Sequence, residues 1–240
     1  MRTTTVFSIL CGMVLSFVTI GCSEDSTSPD PTSVTFKITV ENVSQANTLS
    51  TDRANGTIPL SPGAWALYQG SNPIFTVGGM ADAGLELIAE DGEVGTTLNA
   101  LSGIERVSGS GQFAGPGGPI LSGESSTFNI VALPGDRLQF ATMFVQSNDW
   151  FYAFEGDGLD LFSGDSPISG DMTAQVRLYD AGTEEDTAPG TGPDQKPAQA
   201  MDEINVGAAD DDTMIRNASE DGFSIPATSS VIKVTITPQS

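Results

Sequence analysis

Residues 143–162, MFVQSNDWFYAFEGDGLDLF, place four carboxylates among the five large aromatic rings of 150–162. The acids are Asp149, Glu155, Asp157 and Asp160; the rings are Trp150, Phe151, Tyr152, Phe154 and Phe162. Aromatic side chains gain most from burial. Clustered carboxylates need water, a cation or a shared proton. Two chemistries are therefore open, cation binding and acid–base work by paired carboxylates. Others are closed. The chain contains no histidine, which excludes histidine-dependent triads, the usual catalytic zinc sites and most copper or iron sites.

The N-terminus shows where such chemistry is to operate. Met1-Arg2 precedes the apolar run VFSILCGMVLSFVTI, then Gly21-Cys22-Ser23. A basic start, an apolar core and a small residue before the cut describe a secretory signal over residues 1–21. The run is shorter than the roughly 20 apolar residues of a spanning helix. The ending resembles a bacterial lipobox, in which Cys22 is acylated and becomes the new N-terminus. Thr19 departs from that pattern, which usually has a larger aliphatic residue there. Residues 22–33 read as a polar, Pro-containing tether. Ser23 after the cysteine favours an outer membrane destination. The expected localisation is an exported outer-membrane or cell-surface lipoprotein, with the periplasmic side also open.

Cleavage before Cys22 removes Cys11 and leaves one cysteine, which carries lipid, so no disulfide forms and no thiol nucleophile remains. The processed chain has 31 acidic residues against 8 basic once Arg2 is gone. This charge argues against nucleic acid and anionic membrane surfaces as partners and suits cations. Membrane contact is expected through the lipid anchor only.

The elements that must position the acids read as strands. Residues 34–41, VTFKITVE, alternate apolar and polar, as in a half-buried antiparallel strand. Residues 44–63 read as loop and 64–69 as a short strand. Asp82 is placed to cap a short helix running to Ile88 and ending before Gly92. Val94, Leu98 and Leu101 suggest a second helical turn. Residues 108–123 read as a Gly/Pro loop. Residues 126–133 and 137–146 read as a hairpin. Residues 172–180 read as an alternating strand with Met172, Ala174, Val176 and Leu178 inward. Residues 181–222 read as a long acidic loop. The closing strand turns Ile232, Val234 and Ile236 inward. The expectation is an all-β antiparallel sandwich of six to eight strands with one or two short helices, over residues 34–240.

The residues SNDWFYAFEGDGLDLF, VRLYDAGTEED and VIKVTIT, taken in order, resemble the spondin domain of matrix proteins such as F-spondin and mindin. GGMADAGLELIAEDG resembles its Gly-rich turn and short helix. The resemblance spans about 34–237. It implies a C2-like β-sandwich with one structural calcium ion, and it assigns Asp149, Asp180 and Glu184 as the metal ligands. Glu184 stands where the family has Asp, and Ser147-Asn148 stand where it has Ser-Pro. Calcium takes six to eight oxygens at about 2.3–2.6 Å, which an acidic cluster can supply. Asp157 and Asp160 read equally well as ligands or as solvated acids. The acids of 209–212 and 219–222 read as solvated loop.

The resulting functional expectation is a non-enzymatic, lipid-anchored protein with a calcium-stabilised sandwich, engaged in adhesion or assembly with a protein or glycan partner. The alternative is a carbohydrate-binding module, with Trp65, Tyr68 and Tyr152 as sugar-stacking rings. A carboxylate-pair glycosidase is a third reading, disfavoured by the shortage of aromatic residues for a sugar cleft.

Overall fold

In β1 (Val34–Asn42) the sequence alternation is visible as burial. Phe36, Ile38 and Val40 are buried while Lys37 is exposed. The computed structural model describes residues 32–199 and 203–239, all within a compact unit spanning 31–240. The signal over 1–21, Cys22 and all of the tether except residues 32 and 33 lie outside the described residues. No helix among the described residues is long and apolar enough to cross a membrane.

After β1 the chain forms β2 (Leu60–Tyr68), α1 (Ala83–Asp91), α2 (Gly95–Leu101), β3 (Val107–Phe113), β4 (Ser125–Ala132), β5 (Arg137–Phe144) and β6 (Trp150–Phe154). Four two-residue strands follow: β7 (Leu159–Asp160), β8 (Phe162–Ser163), β9 (Ser166–Pro167) and β10 (Gly170–Asp171). The chain ends with β11 (Val176–Asp180), β12 (Arg216–Asn217) and β13 (Ile232–Gln239). One sheet has the order β10-β13-β1-β4; the larger has β12-β11-β6-β5-β2-β3, with β7 also paired to β5. β8 and β9 form a separate two-stranded ribbon. The pairings are antiparallel, and the molecule is an all-β sandwich with two helices.

The two sheets close over a shared core. Phe36, Ile38 and Val40 of one sheet meet Phe140, Tyr152 and Phe154 of the other. Phe113 and Phe128 stack across the two sheets with centroids 5.7 Å apart. A second apolar layer lies on the other face of the large sheet, where Leu85 and Ile88 of α1 pack with Phe151, Ala153 and Tyr179. Hence β6 is buried along its whole length. Trp150, Tyr152 and Phe154 face the sandwich core and Phe151 and Ala153 face the helices. A strand covered on both faces loses its alternating signature. Full burial of each such ring contributes about 1.5–3 kcal/mol.

The helices follow their signals. Asp82 caps α1 by accepting from the backbone N–H groups of Gly84 and Leu85 at 2.9 and 2.8 Å. Gly92 ends α1 in the left-handed region at φ 72°, a position that favours glycine.

Three loop or strand expectations are corrected. Residues 107–113 form β3 rather than the start of a loop. The glycines fit there because Trp65 lies over them: a Cβ on Gly111 would come within 2.9 Å of the indole. β2 begins at Leu60, inside the segment read as loop. Residues 173–175 form a 3₁₀ turn that leaves Ala174 exposed, and the strand starts only at Val176.

Candidate metal centre

The antiparallel pairing of β6 with β11 sets Asp180 opposite Trp150. Asp180 is the last residue of β11, and Asp149 immediately precedes β6, so both acids emerge at the same end of the large sheet. The Ala181 amide donates to the Asp149 carbonyl at 3.3 Å. The chain then reverses at Gly182, whose φ is 67°. A Cβ there would meet the Asp212 carbonyl oxygen at 2.7 Å, so glycine is required by both conformation and space.

That reversal folds residues 183–186 back over Asp149. Oδ2 of Asp149 accepts the Thr183 amide at 2.7 Å, the Thr183 hydroxyl at 3.0 Å and the Glu184 amide at 3.1 Å. Oδ1 of Asp180 accepts the Gly182 amide at 2.6 Å. Oδ2 of Asp186 accepts the indole N–H of Trp150 at 3.0 Å. One oxygen of each carboxylate is thus fixed by donors. The other oxygen in each case, Asp149 Oδ1, Asp180 Oδ2 and Asp186 Oδ1, is buried without a hydrogen-bond partner.

Asp149, Asp180 and Asp186 each offer a carboxylate oxygen, and these oxygens lie within 4.8 Å of one another. Asp149 and Asp180 are fully buried. Their proximity is costly without compensation, since two unit charges 4 Å apart repel by about 1 kcal/mol even in bulk water. Burial raises the proton affinity of all three carboxyls, and the neighbouring aspartates raise that of Asp180 and Asp186 further. A proton or a metal ion relieves the same repulsion. The free oxygens of Asp149 and Asp186 have no partner and that of Asp180 meets only Arg216; with no nitrogen or sulfur donor in the group, the arrangement fits a hard, oxygen-seeking ion. The group could hold a metal ion.

Arg216, from β12, supplies the local positive charge. Its guanidinium touches Oδ2 of Asp180 without hydrogen-bond geometry. It also donates to Asp210 at 2.8 Å and to Asp221 at 2.7 Å. The sequence reading of those two acids as solvated loop is thereby corrected: they anchor a largely buried arginine. Asp211 is exposed, in keeping with that reading.

Of the ligands implied by the sequence resemblance, Asp149 and Asp180 come together. Glu184 is buried beside them, but its carboxylate lies outside the group of three. Its Oε1 accepts from the Asn148 side-chain amide at 2.8 Å. Asp186, two residues on, was not singled out by sequence reasoning. The available signal was the acidic run Glu184-Glu185-Asp186, which sequence alone does not resolve into three different environments. Asp157 and Asp160 lie elsewhere, paired with Arg137 at 3.7 and 2.7 Å. Glu155 pairs with Arg177 at 2.7 Å. Tyr68 and Tyr152 are buried and Trp65 stacks on Phe128 at 5.2 Å, so these three rings do not form the exposed platform expected for stacking on a sugar. No family model and no curated protein matches the chain.

Proposed function

We propose that this protein is a non-enzymatic, lipid-anchored β-sandwich of spondin type, exposed at the cell surface or in the periplasm. In this reading a structural calcium ion is held by Asp149, Asp180 and Asp186, and the domain serves adhesion or assembly. The observation that carries the metal assignment is the convergence of three carboxylates, each with one oxygen held by a donor and the other without a hydrogen bond, that of Asp180 lying in contact with Arg216. The spondin assignment and the export route rest on the paired sequence motifs and on the residues around Cys22. Asp186 replaces Glu184 in the ligand set because its carboxylate, unlike that of Glu184, belongs to the converging group.

When bound, the ion neutralises the clustered charge. The residues of the chain do the rest. Thr183 and Glu184 orient Asp149, Gly182 orients Asp180, and Trp150 orients Asp186. The ion then ties the ends of β6 and β11 to the loop that follows, and the unfolded chain cannot hold these oxygens together.

The test is the melting temperature of chelator-stripped protein during calcium titration. At a free concentration about 100 times the dissociation constant, linkage gives about 2.7 kcal/mol of added stability. Asp149→Asn, Asp180→Asn and Asp186→Asn should each reduce the rise, Asp211→Asn should preserve it, and magnesium should substitute poorly. A melt unmoved by calcium in the wild type refutes the metal site. Intact-mass measurement of membrane-extracted protein tests the anchor: loss of residues 1–21 with added acyl mass supports it, and a product insensitive to Cys22→Ser overturns it.

A further inference from the structure

A second acidic feature lies outside the aspartate group. Glu90, in the last turn of α1, is 5% exposed, and Glu184 is 3% exposed. Both line a cleft of about 190 Å³ together with Glu86, Thr183 and the 205–209 loop. The loop is drawn onto α1 by Asn205, which donates its side-chain amide to Glu86 at 2.9 Å and its backbone N–H to Asp91 at 3.1 Å.

Three observations indicate that this cleft is built to receive something. Oε2 of Glu184 is buried and has no hydrogen-bond partner. The carboxylate lies flush against the cleft wall at Gly207: a Cβ on that residue would fall 2.0 Å from Glu184 Oε1. The local basic group does not serve it either, because Lys196 pairs with Asp91 at 2.7 Å rather than with Glu90. A carboxylate in the last turn of a helix also opposes the helix dipole, whose C-terminal end favours positive charge.

We infer that Glu90 and Glu184 form a second binding site, for a hard divalent cation of calcium's class, between the last turn of α1 and the 205–209 loop. Two glutamates supply the charge, and backbone carbonyls and water are the oxygen donors suited to complete such a shell. The site differs from the aspartate group in its ligands and in the elements it joins. It links a helix to the acidic loop, whereas the aspartates link two strands to that loop.

Calorimetric titration of the chelator-stripped protein with calcium chloride tests the inference through stoichiometry. The wild type should bind two ions per chain. Glu90→Gln and Glu184→Gln should each bind one, and that remaining ion should be lost on adding Asp186→Asn. Asp186→Asn alone should also retain one ion. A wild type that binds a single ion abolished by Asp186→Asn overturns the second site and leaves the first standing. A wild type that binds none overturns both. A count of two in both glutamine variants overturns the assignment to Glu90 and Glu184. The wild-type count decides the matter even where one variant fails to fold, and circular dichroism identifies such a variant.

Discussion

The indole N–H of Trp150 donates to Oδ2 of Asp186 across 3.0 Å, so a ring that fills the sandwich core also holds one of the converging acids. Of the acids in residues 149–162, Asp149 joins Asp186 in that group, while Glu155, Asp157 and Asp160 pair with Arg177 and Arg137. The rings anchor the segment in two apolar layers, and the acids stand at the strand ends where the sheet stops.

The same contact offers a spectroscopic handle. Terbium, an oxygen-seeking ion, should occupy the aspartate group and emit on excitation of the adjacent indole. Trp150→Phe should remove most of that emission, whereas Trp65→Phe should retain it, because Trp65 stacks on Phe128 instead. Emission that survives Trp150→Phe and vanishes in Trp65→Phe would place the ion elsewhere.

Acidity gives a second expectation. Burial raises the carboxyls of Glu90, Asp186 and Glu184 to about 7, 7 and 8. The folded protein therefore binds more protons than the unfolded chain between about pH 4 and pH 8. Stability from these groups is fully present below the unfolded carboxyl range and is lost as pH rises through the folded values. In chelator, the melting temperature should fall from pH 5 to pH 8. Calcium should reduce that fall, because the ion replaces the protons. A melt in chelator that rises over this interval contradicts the charge accounting.

Gly182 gives a mutational test of the reversal after β11. Alanine at φ 67° costs about 1–2 kcal/mol, and its Cβ would meet the Asp212 carbonyl at 2.7 Å. Gly182→Ala should lower stability by more than that conformational cost and weaken calcium binding, since the turn delivers the Thr183 and Glu184 amides to Asp149. Gly164→Ala, at φ 62° in open space, should show the conformational cost alone and leave calcium binding unchanged. Denaturant melts with and without calcium separate the two.

Arg216 gives a third substitution. Its guanidinium is shared among Asp180, Asp210 and Asp221. Removing one partner of a buried ion pair typically costs about 3–5 kcal/mol, because the remaining charge is left uncompensated. Arg216→Ala should approach that loss in chelator and lose less in calcium, where the ion takes over part of the compensation of Asp180. Equal losses in both conditions would show that Asp180 does not face the ion.

Much of the fold is legible in the sequence because its half-buried strands alternate. β1 and β13 show the pattern, and their register pairs Ile38 with Ile236 and Val40 with Val234. The helix over 83–91 is announced by Asp82 and Gly92. β3 is not legible, because SGSG has the composition of a loop and its strand character depends on the distant Trp65 ring. The 3₁₀ turn at 173–175 is hidden by a chance alternation of side chains. At the site, Asp149 and Asp180 stand out because motif and strand ends coincide. Asp186 does not, since its role depends on how the chain folds back after Gly182. The role of Arg216 is only partly local: Asp210 and Asp221 are near it in sequence, but Asp180 is brought to it by the pairing of β11 with β12.

The acidic stretch after β11 contributes little to the hydrophobic core. Among its described residues from 181 to 217, only Ala181 and Ile215 belong to it. Its attachment depends instead on polar contacts, among them the Asp149 turn, the Arg216 pairs, the Asn205 and Lys196 contacts with α1, and Arg53, which donates to Gln195 and to the Gly192 carbonyl. A segment held mainly by polar contacts is expected to detach at lower cost than unfolding the sandwich. In the proposed calcium reading, the ion concentration around the protein then sets how often this segment opens. A protease sampling the surface would meet a closed molecule in calcium and a cleavable one without it, while the two sheets beneath stay folded in both.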